Sequence, residues 1–240
     1  MSKTNAKLYL VPTPLGEEGL HTIPPYVISI IHSLDVFIVE RAKTARHFLK
    51  SIDFPTPFDD CLFFELNKRT EAAELPTFLH PAEQEGRSIG LLSEAGVPAV
   101  ADPGSKVVRQ AHARGIEVMP LVGPSSLLLA IMGAGLNGQA FAFKGYLNAK
   151  RPELALDLKR LEAQTNRHGE TQLFIETPYR NLAVFETALQ VLDGKTLFSI
   201  AMDLTLPTQY IRTFTIEQWK TQPVPELHKR PAVFLLGKLR

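Results

Sequence analysis

The sequence has one cysteine, Cys61, in 240 residues, so no disulfide can close within the chain and a reducing compartment is expected. It has no apolar run long enough to cross a bilayer, because the longest, residues 125–136, falls short of the roughly 20 residues a spanning helix needs. The opening MSKTNAKLYL has no apolar stretch of the kind an export signal carries, and the expectation is a soluble, cytoplasmic protein. Metal-binding patterns are missing too: the seven histidines are scattered, none in a Cys/His group with ligand spacing, so no metal is expected. The loop after the first strand, residues 12–16, lacks the Gly-x-Gly-x-x-Gly spacing of a dinucleotide fingerprint, and neither the full Gly-x-x-x-x-Gly-Lys-Ser/Thr pattern nor Gly-x-Ser-x-Gly occurs, which leaves dinucleotide, P-loop and serine-hydrolase chemistry little support. What is present is an ordinary core-forming composition, 45% apolar and 21% charged, which excludes a disordered or collagen-like chain. The net charge of +1 conceals a split: the first 140 residues are acidic by about 3 and the remainder basic by about 4.

Strand-like and helix-like segments alternate over the first 140 residues. Strands are expected at Lys7–Val11, Asp35–Glu40, Ser88–Leu92 and Ile116–Met119, with helices at Pro25–Leu34, Lys43–Ile52, Thr70–Glu85, Pro103–Arg114 and Ser125–Ala134. Pro76 and Pro81 should interrupt the third helix, Asp102 should cap the fourth, and the fifth is too apolar to be exposed. The pattern restarts at Phe141–Leu147, followed by a helix at Pro152–Thr165, a strand at Gln172–Glu176 and a helix at Arg180–Leu192. Strands then come in close succession at Leu197–Thr205, Gln209–Ile216 and Ala232–Gly237, the last of them antiparallel. The expected fold is α/β: a parallel-sheet domain over residues 1–142 and a mixed-sheet α+β domain over 143–240.

In open α/β sheets ligands bind beyond the carboxyl ends of the strands, so the loops after strands carry most weight. Three stand out. Pro12-Thr13-Pro14-Leu15-Gly16 is stiffened by two prolines. Ser93-Glu94-Ala95-Gly96-Val97-Pro98, continuing to Asp102-Pro103-Gly104, is rigid and carries two carboxylates. Val122-Gly123-Pro124-Ser125-Ser126 leads into an apolar helix, where either serine could cap it or bind a ligand.

Taken in order, LYLVPTPLG, LLSEAGVPAVADPG, VMPLVGPSS, FAFKGYLNAKR and LFIETPYRNL resemble the tetrapyrrole methylase superfamily of S-adenosylmethionine-dependent methyltransferases. They are most similar to the branch that methylates a cytidine ribose 2′-hydroxyl in 16S ribosomal RNA, and the likeness runs from about Leu8 to Gly237. The resemblance implies a two-domain homodimer with S-adenosylmethionine as cofactor, S-adenosylhomocysteine as product, and the cofactor in an interdomain cleft. It places cofactor contacts at Pro14, Ser93, Glu94, Ala95, Gly96, Val97, Ser125 and Ser126. In the second domain it adds Thr177, Pro178, Leu204, Pro231, Ala232 and Val233.

The departures from that branch fall at acceptor-side positions. Glu40-Arg41-Ala42-Lys43 stands where relatives carry Glu-Asp-Thr-Arg, and Met202–Leu206 stands where they carry Arg-Glu-Leu-Thr-Lys. Binding of the cofactor is therefore the firmer implication, and methylation of ribosomal RNA the finer one. Transfer to another acceptor, such as a tetrapyrrole, and a cofactor-binding protein without turnover remain open. Removing the hydroxyl proton during transfer calls for a base, and the strand-end carboxylates Glu40 and Glu176 are the candidates, with Asp203 behind them. RNA or a small ribosomal subunit would be held by Lys150, Arg151 and Arg180, with Tyr179 stacking on a base.

Overall fold

The computed structural model describes residues 6–71 and 73–238. Met1–Asn5, the head of the segment read for export, lie outside the described residues, as do Ala72, within the expected Thr70–Glu85 helix, and Leu239–Arg240. The chain divides into two compact units after Ser125.

The first unit runs β1 (Lys7–Val11), α1 (Pro25–His32), β2 (Val36–Val39), α2 (Ala42–Ser51), β3 (Leu62–Glu65), α3 (His80–Gln84), β4 (Ile89–Leu92), α4 (Ser105–Ala113) and β5 (Glu117–Pro120). Its five strands form one sheet in the order β3-β2-β4-β1-β5, every pair parallel. β2 and β4 are uninterrupted apolar runs because each is covered on both faces, and every residue in them is buried. Side-chain alternation sends Ile38 and Leu8 into one core cluster with Leu79 and Val107, and Phe37 and Val11 into another with Ile31 and Leu49.

Two local expectations for this unit are corrected. The Thr70–Glu85 helix is a 3-10 turn, Leu75–Leu79, running into the short α3, with Pro76 and Pro81 each near the start of its own piece. Asp102 does not cap α4, whose N-cap position is Gly104. The chain turns instead through Ala99 and Ala101, both at positive φ (65° and 60°), and Asp102 is left half-buried near Glu40 and Glu94. The edge strand β3 lies where no strand was expected.

The second unit runs α5 (Ser126–Ala134), β6 (Phe141–Tyr146), α6 (Arg151–His168), β7 (Thr171–Ile175), α7 (Asn181–Val191), β8 (Leu197–Met202), β9 (Tyr210–Thr215), α8 (Ile216–Trp219) and β10 (Ala232–Gly237). Its sheet is mixed, in the order β6-β7-β10-β8-β9, with β6 and β7 parallel and the other pairs antiparallel. The core is aromatic: Phe234 stacks between Phe174 and Phe198 at 5.5 and 5.8 Å, and the Trp219 indole donates to the Phe198 carbonyl at 2.7 Å.

α5 packs on β8, β9 and β10, so the division of the chain lies upstream of the expected 142/143 boundary. A Cβ on Gly133 would lie 2.6 Å from Ile211, which shows how closely this helix meets the sheet. Only one face of α5 is covered, however. Ala130, Ile131 and Ala134 are buried, while Leu128 and Met132 are 53% and 76% exposed, against the expectation of a fully covered helix.

Candidate functional site

Strand order in the first unit sets β4, β1 and β5 side by side, so the three singled-out loops leave the carboxyl edge of the sheet as neighbours. Thr13 and Gly96 join the first two through a reciprocal backbone pair, N–H to O at 2.9 and 3.0 Å. The buried Thr13 hydroxyl donates to the Ser93 carbonyl at 3.3 Å, and the Ser93 hydroxyl donates to the Gly96 carbonyl. Gly96 is at φ +78°, and a Cβ there would meet Leu15 at 3.0 Å and the Pro124 carbonyl at 3.3 Å. The third loop is tighter still: a Cβ on Gly123 would lie 2.3 Å from the Pro12 ring carbons. The result is a rigid cradle of backbone groups around Pro14 and Ser93–Val97. Thr13 and Gly123 hold it in shape, although neither was among the cofactor contacts expected from sequence. Ser125 ends this unit and Ser126 opens α5.

One strand further along, Glu40 follows β2 and lies in a group of carboxylates with Glu94 and Asp102. Burial, reinforced by the charges of Glu40 and Glu94, pushes the Asp102 carboxyl up to about 6. Glu94 is raised as well, by burial and then by Glu40, while the Thr44 hydroxyl, the Arg41 charge and the Arg41 backbone N–H that it accepts from pull the other way. Among the described residues none of the three carboxylates stands in an ion pair, and no group of acidic, histidine or cysteine side chains is arranged for a metal ion. Such an arrangement suits a ligand bearing positive charge or an exchangeable proton.

The second unit gathers its sequence-singled residues where β7 and β8 end and β10 begins, at neighbouring positions in the sheet. Glu176 is buried; one of its oxygens accepts from the Thr177 N–H at 2.7 Å and the other lies 2.8 Å from the Arg180 guanidinium. That engagement shapes the Thr177–Arg180 turn. Lys229 donates its N–H to the Pro178 carbonyl at 3.1 Å, and the buried Asn181 amide donates to the Arg230 carbonyl at 2.7 Å. Arg230 ion-pairs with Asp203 at 2.7 Å, and the Asp203 N–H reaches the Pro231 carbonyl at 3.1 Å. Asp203 and Thr205 are at positive φ (46° and 73°), so the buried Leu204 sits on a strained turn that Arg230 braces. The Thr205 hydroxyl oxygen is buried with no hydrogen-bond partner. Ala232 and Val233 are buried in β10, paired with Met202 and Ala201.

Of the expected RNA contacts, Tyr179 is 71% exposed, with the Lys229 ammonium 6.0 Å from its ring. Lys150 is exposed just before α6, whereas Arg151 pairs with Glu186 and Arg180 with Glu176.

The family described as Tetrapyrrole (Corrin/Porphyrin) Methylases matches residues 7–220. The chain belongs to this family. Among curated relatives of this methylase, the Pseudomonas aeruginosa protein named ribosomal RNA small subunit methyltransferase I is 31% identical over 92% of the chain. Proteins of the same name from Escherichia coli O157:H7 and Bacillus subtilis are 31% and 30% identical over 84% and 82% of it. The matched stretch spans 71%, 66% and 63% of those three relatives, so the chain covers about two thirds of their length. Solved structures give the same fold. The methyltransferase CobJ aligns with a TM-score of 0.63 at 20% identity over 98% of this chain and 95% of its own. A Thermus thermophilus uroporphyrin-III C-methyl transferase complexed with S-adenyl homocysteine aligns at 0.56 and 16% identity, over 97% of each chain.

Proposed function

We propose that this methylase transfers a methyl group from S-adenosylmethionine to a ribose 2′-hydroxyl of ribosomal RNA. The observation that carries the reading is the match to relatives named ribosomal RNA small subunit methyltransferase I, 31% identical across 92% of the chain. The chain's own residues fit the cofactor. In the Thr13–Gly96 cradle a Cβ on Gly123 would clash with Pro12 and one on Gly96 would crowd Leu15 and the Pro124 carbonyl; among the described residues the Glu94 carboxylate stands in no ion pair and the buried Thr205 hydroxyl oxygen has no hydrogen-bond partner. Pro14, Ser93–Val97, Ser125 and Ser126 would hold it from the first unit, and Thr177, Pro178, Leu204 and Pro231–Val233 from the second.

When bound, the cofactor supplies a methyl group already activated on a cationic sulfur. What remains for the protein is to align the acceptor hydroxyl, keep water out and take up its proton. In this reading Glu40 and its neighbour Asp102 take that proton, because a carboxyl near 6 is ionised at neutral pH yet is a stronger base than an ordinary one. Glu176 is then a positioning residue, held by Arg180 and shaping the loop of Thr177 and Pro178. The exposed Tyr179, with Lys150 and the second nitrogen face of Arg151 and Arg180, would meet RNA. A homodimer is part of the proposal; exposed Leu128, Met132, Phe141 and Tyr146 offer it an apolar surface on the second unit.

The test has two steps. Calorimetric titration with S-adenosylmethionine should show saturable binding near one per chain. Methyl-labelled cofactor and small ribosomal subunits should then give alkali-resistant label in the RNA. Label that enters a tetrapyrrole but never RNA would overturn the acceptor, and binding with no transfer to either would overturn the enzyme.

A further inference from the structure

α2 presents Lys43, Arg46, His47 and Lys50 to solvent, at helical positions i, i+3, i+4 and i+7, while Ala45, Phe48 and Leu49 on the opposite face are buried. The four side chains line one open groove of about 340 Å³. α2 contains no acidic residue, and among the described residues no ion pair involves any of the four. In the second unit, by contrast, Arg151, Arg160 and Arg180 each meet a carboxylate.

Holding the helix in place does not require these charges. Its N-terminal amides are served from outside, Ala42 N–H by the Glu65 carboxylate at 2.9 Å and Arg41 N–H by Glu94. Lys43 lies in the first turn, the end where the helix dipole disfavours a cation. Arg46 lies over the Phe63 ring at 4.9 Å and Lys50 over Phe58 at 6.0 Å, contacts that restrict the side chains and leave their charge unspent. The stripe starts two residues after Glu40 and Arg41, at the carboxyl edge of the sheet, and continues for about 10 Å along the helix.

We infer that this face of α2 is a track for the phosphate backbone of single-stranded RNA, leading from the Glu40 carboxylate group. The regular array of unpaired cations, more than one phosphate long, is complementary to a polyanion, whereas an isolated anion would use only one of its ends. The inference rests on the ribosomal RNA reading and extends it, because the contacts suggested by sequence, apart from Tyr179, lie around the start of α6 and are largely neutralised. The departure at Arg41–Lys43 then reads as part of the same basic face.

The test uses the full chain, a short fluorescent single-stranded RNA and a salt series. In wild type the logarithm of affinity should fall steeply and linearly with the logarithm of salt. The triple variant Lys43→Gln, Arg46→Gln, Lys50→Gln should lower that slope by about 2 and weaken binding about a hundredfold at roughly 0.1 M salt, at ~0.7 in slope per cation. Its melting temperature and its calorimetric binding of S-adenosylmethionine should match wild type, and Lys43→Arg, Lys50→Arg should keep the RNA affinity. If the triple variant fails to fold, Lys43→Gln alone decides, with a slope change of about 0.7 expected. Unchanged slope and affinity in the variants, with wild type binding RNA, would overturn the track and leave the ribosomal reading standing. Wild type that binds the cofactor but no RNA at any salt would overturn both.

Discussion

Two single positions decide whether the cradle on the first unit keeps its shape. Gly123→Ala would set a Cβ 2.3 Å from the Pro12 ring, so one loop must move; the expected loss is ~1–3 kcal/mol by urea unfolding, together with weaker cofactor binding. An unchanged midpoint would mean that the two loops have slack. The other position is Asp102, raised from 3.8 to about 6 by burial and by Glu40 and Glu94. A carboxyl that holds its proton more tightly folded than unfolded stabilises the fold when protonated. That contribution is fully present below about 3.8 and is lost as the pH rises through about 6. Asp102→Asn should therefore unfold at higher urea than wild type at pH 8 and gain nothing at pH 4; a gain independent of pH would refute the assignment. If the carboxylate also accepts the acceptor proton, the methyl-transfer rate should climb through about pH 6, and the variant should lose that limb.

At the scale of elements, the Thr177–Arg180 turn depends on one ion pair. Arg180→Ala would leave Glu176, whose side chain is 2% exposed, without its cation, and should cost on the order of 3 kcal/mol; Glu176→Gln should cost less. Equal stability of the two variants in denaturant would show that the pair does not hold the turn. Elements were legible from sequence where hydrophobic pattern dominates, as in the buried runs of β2 and β4. β3 was not, because Leu-Phe-Phe-Glu is four residues long and partly exposed at the sheet edge. α8 was hidden in the same way: its Thr215–Gln218 capping box lies at the end of β9, so the strand reading absorbed it. The site loops could be found because they follow strands. The bracing of Asp203 by Arg230, 27 residues away, could not, since no local pattern encodes which distant charges will meet. Asp102 was misread for a related reason: Asp-Pro before a helix looks like a cap, and only the turn through Ala99 and Ala101 reveals its burial.

For the whole molecule, each unit carries its own sheet and its own core, so a ligand that binds only the folded chain should register as thermal stability. With S-adenosylhomocysteine at about a hundred times its dissociation constant, the gain should be ~2.7 kcal/mol, a rise of several degrees in melting temperature. No rise at saturating ligand would contradict the cofactor reading. The two-part α/β architecture was legible from the change in strand–helix rhythm near residue 140. The true division was not, because α5 continues that rhythm in sequence yet packs on β8–β10. Periodicity reports which face of a helix is apolar and carries no address for the sheet that will cover it.

The Thr13–Gly96 pair also has a signature in isotope exchange. Each residue donates to the other's carbonyl, so neither amide can be opened to solvent without loosening the other. Their two protons should trade for deuterium at matched rates, as a single reporter of whether the first two loops are joined. A ligand seated against that cradle should slow both to the same degree.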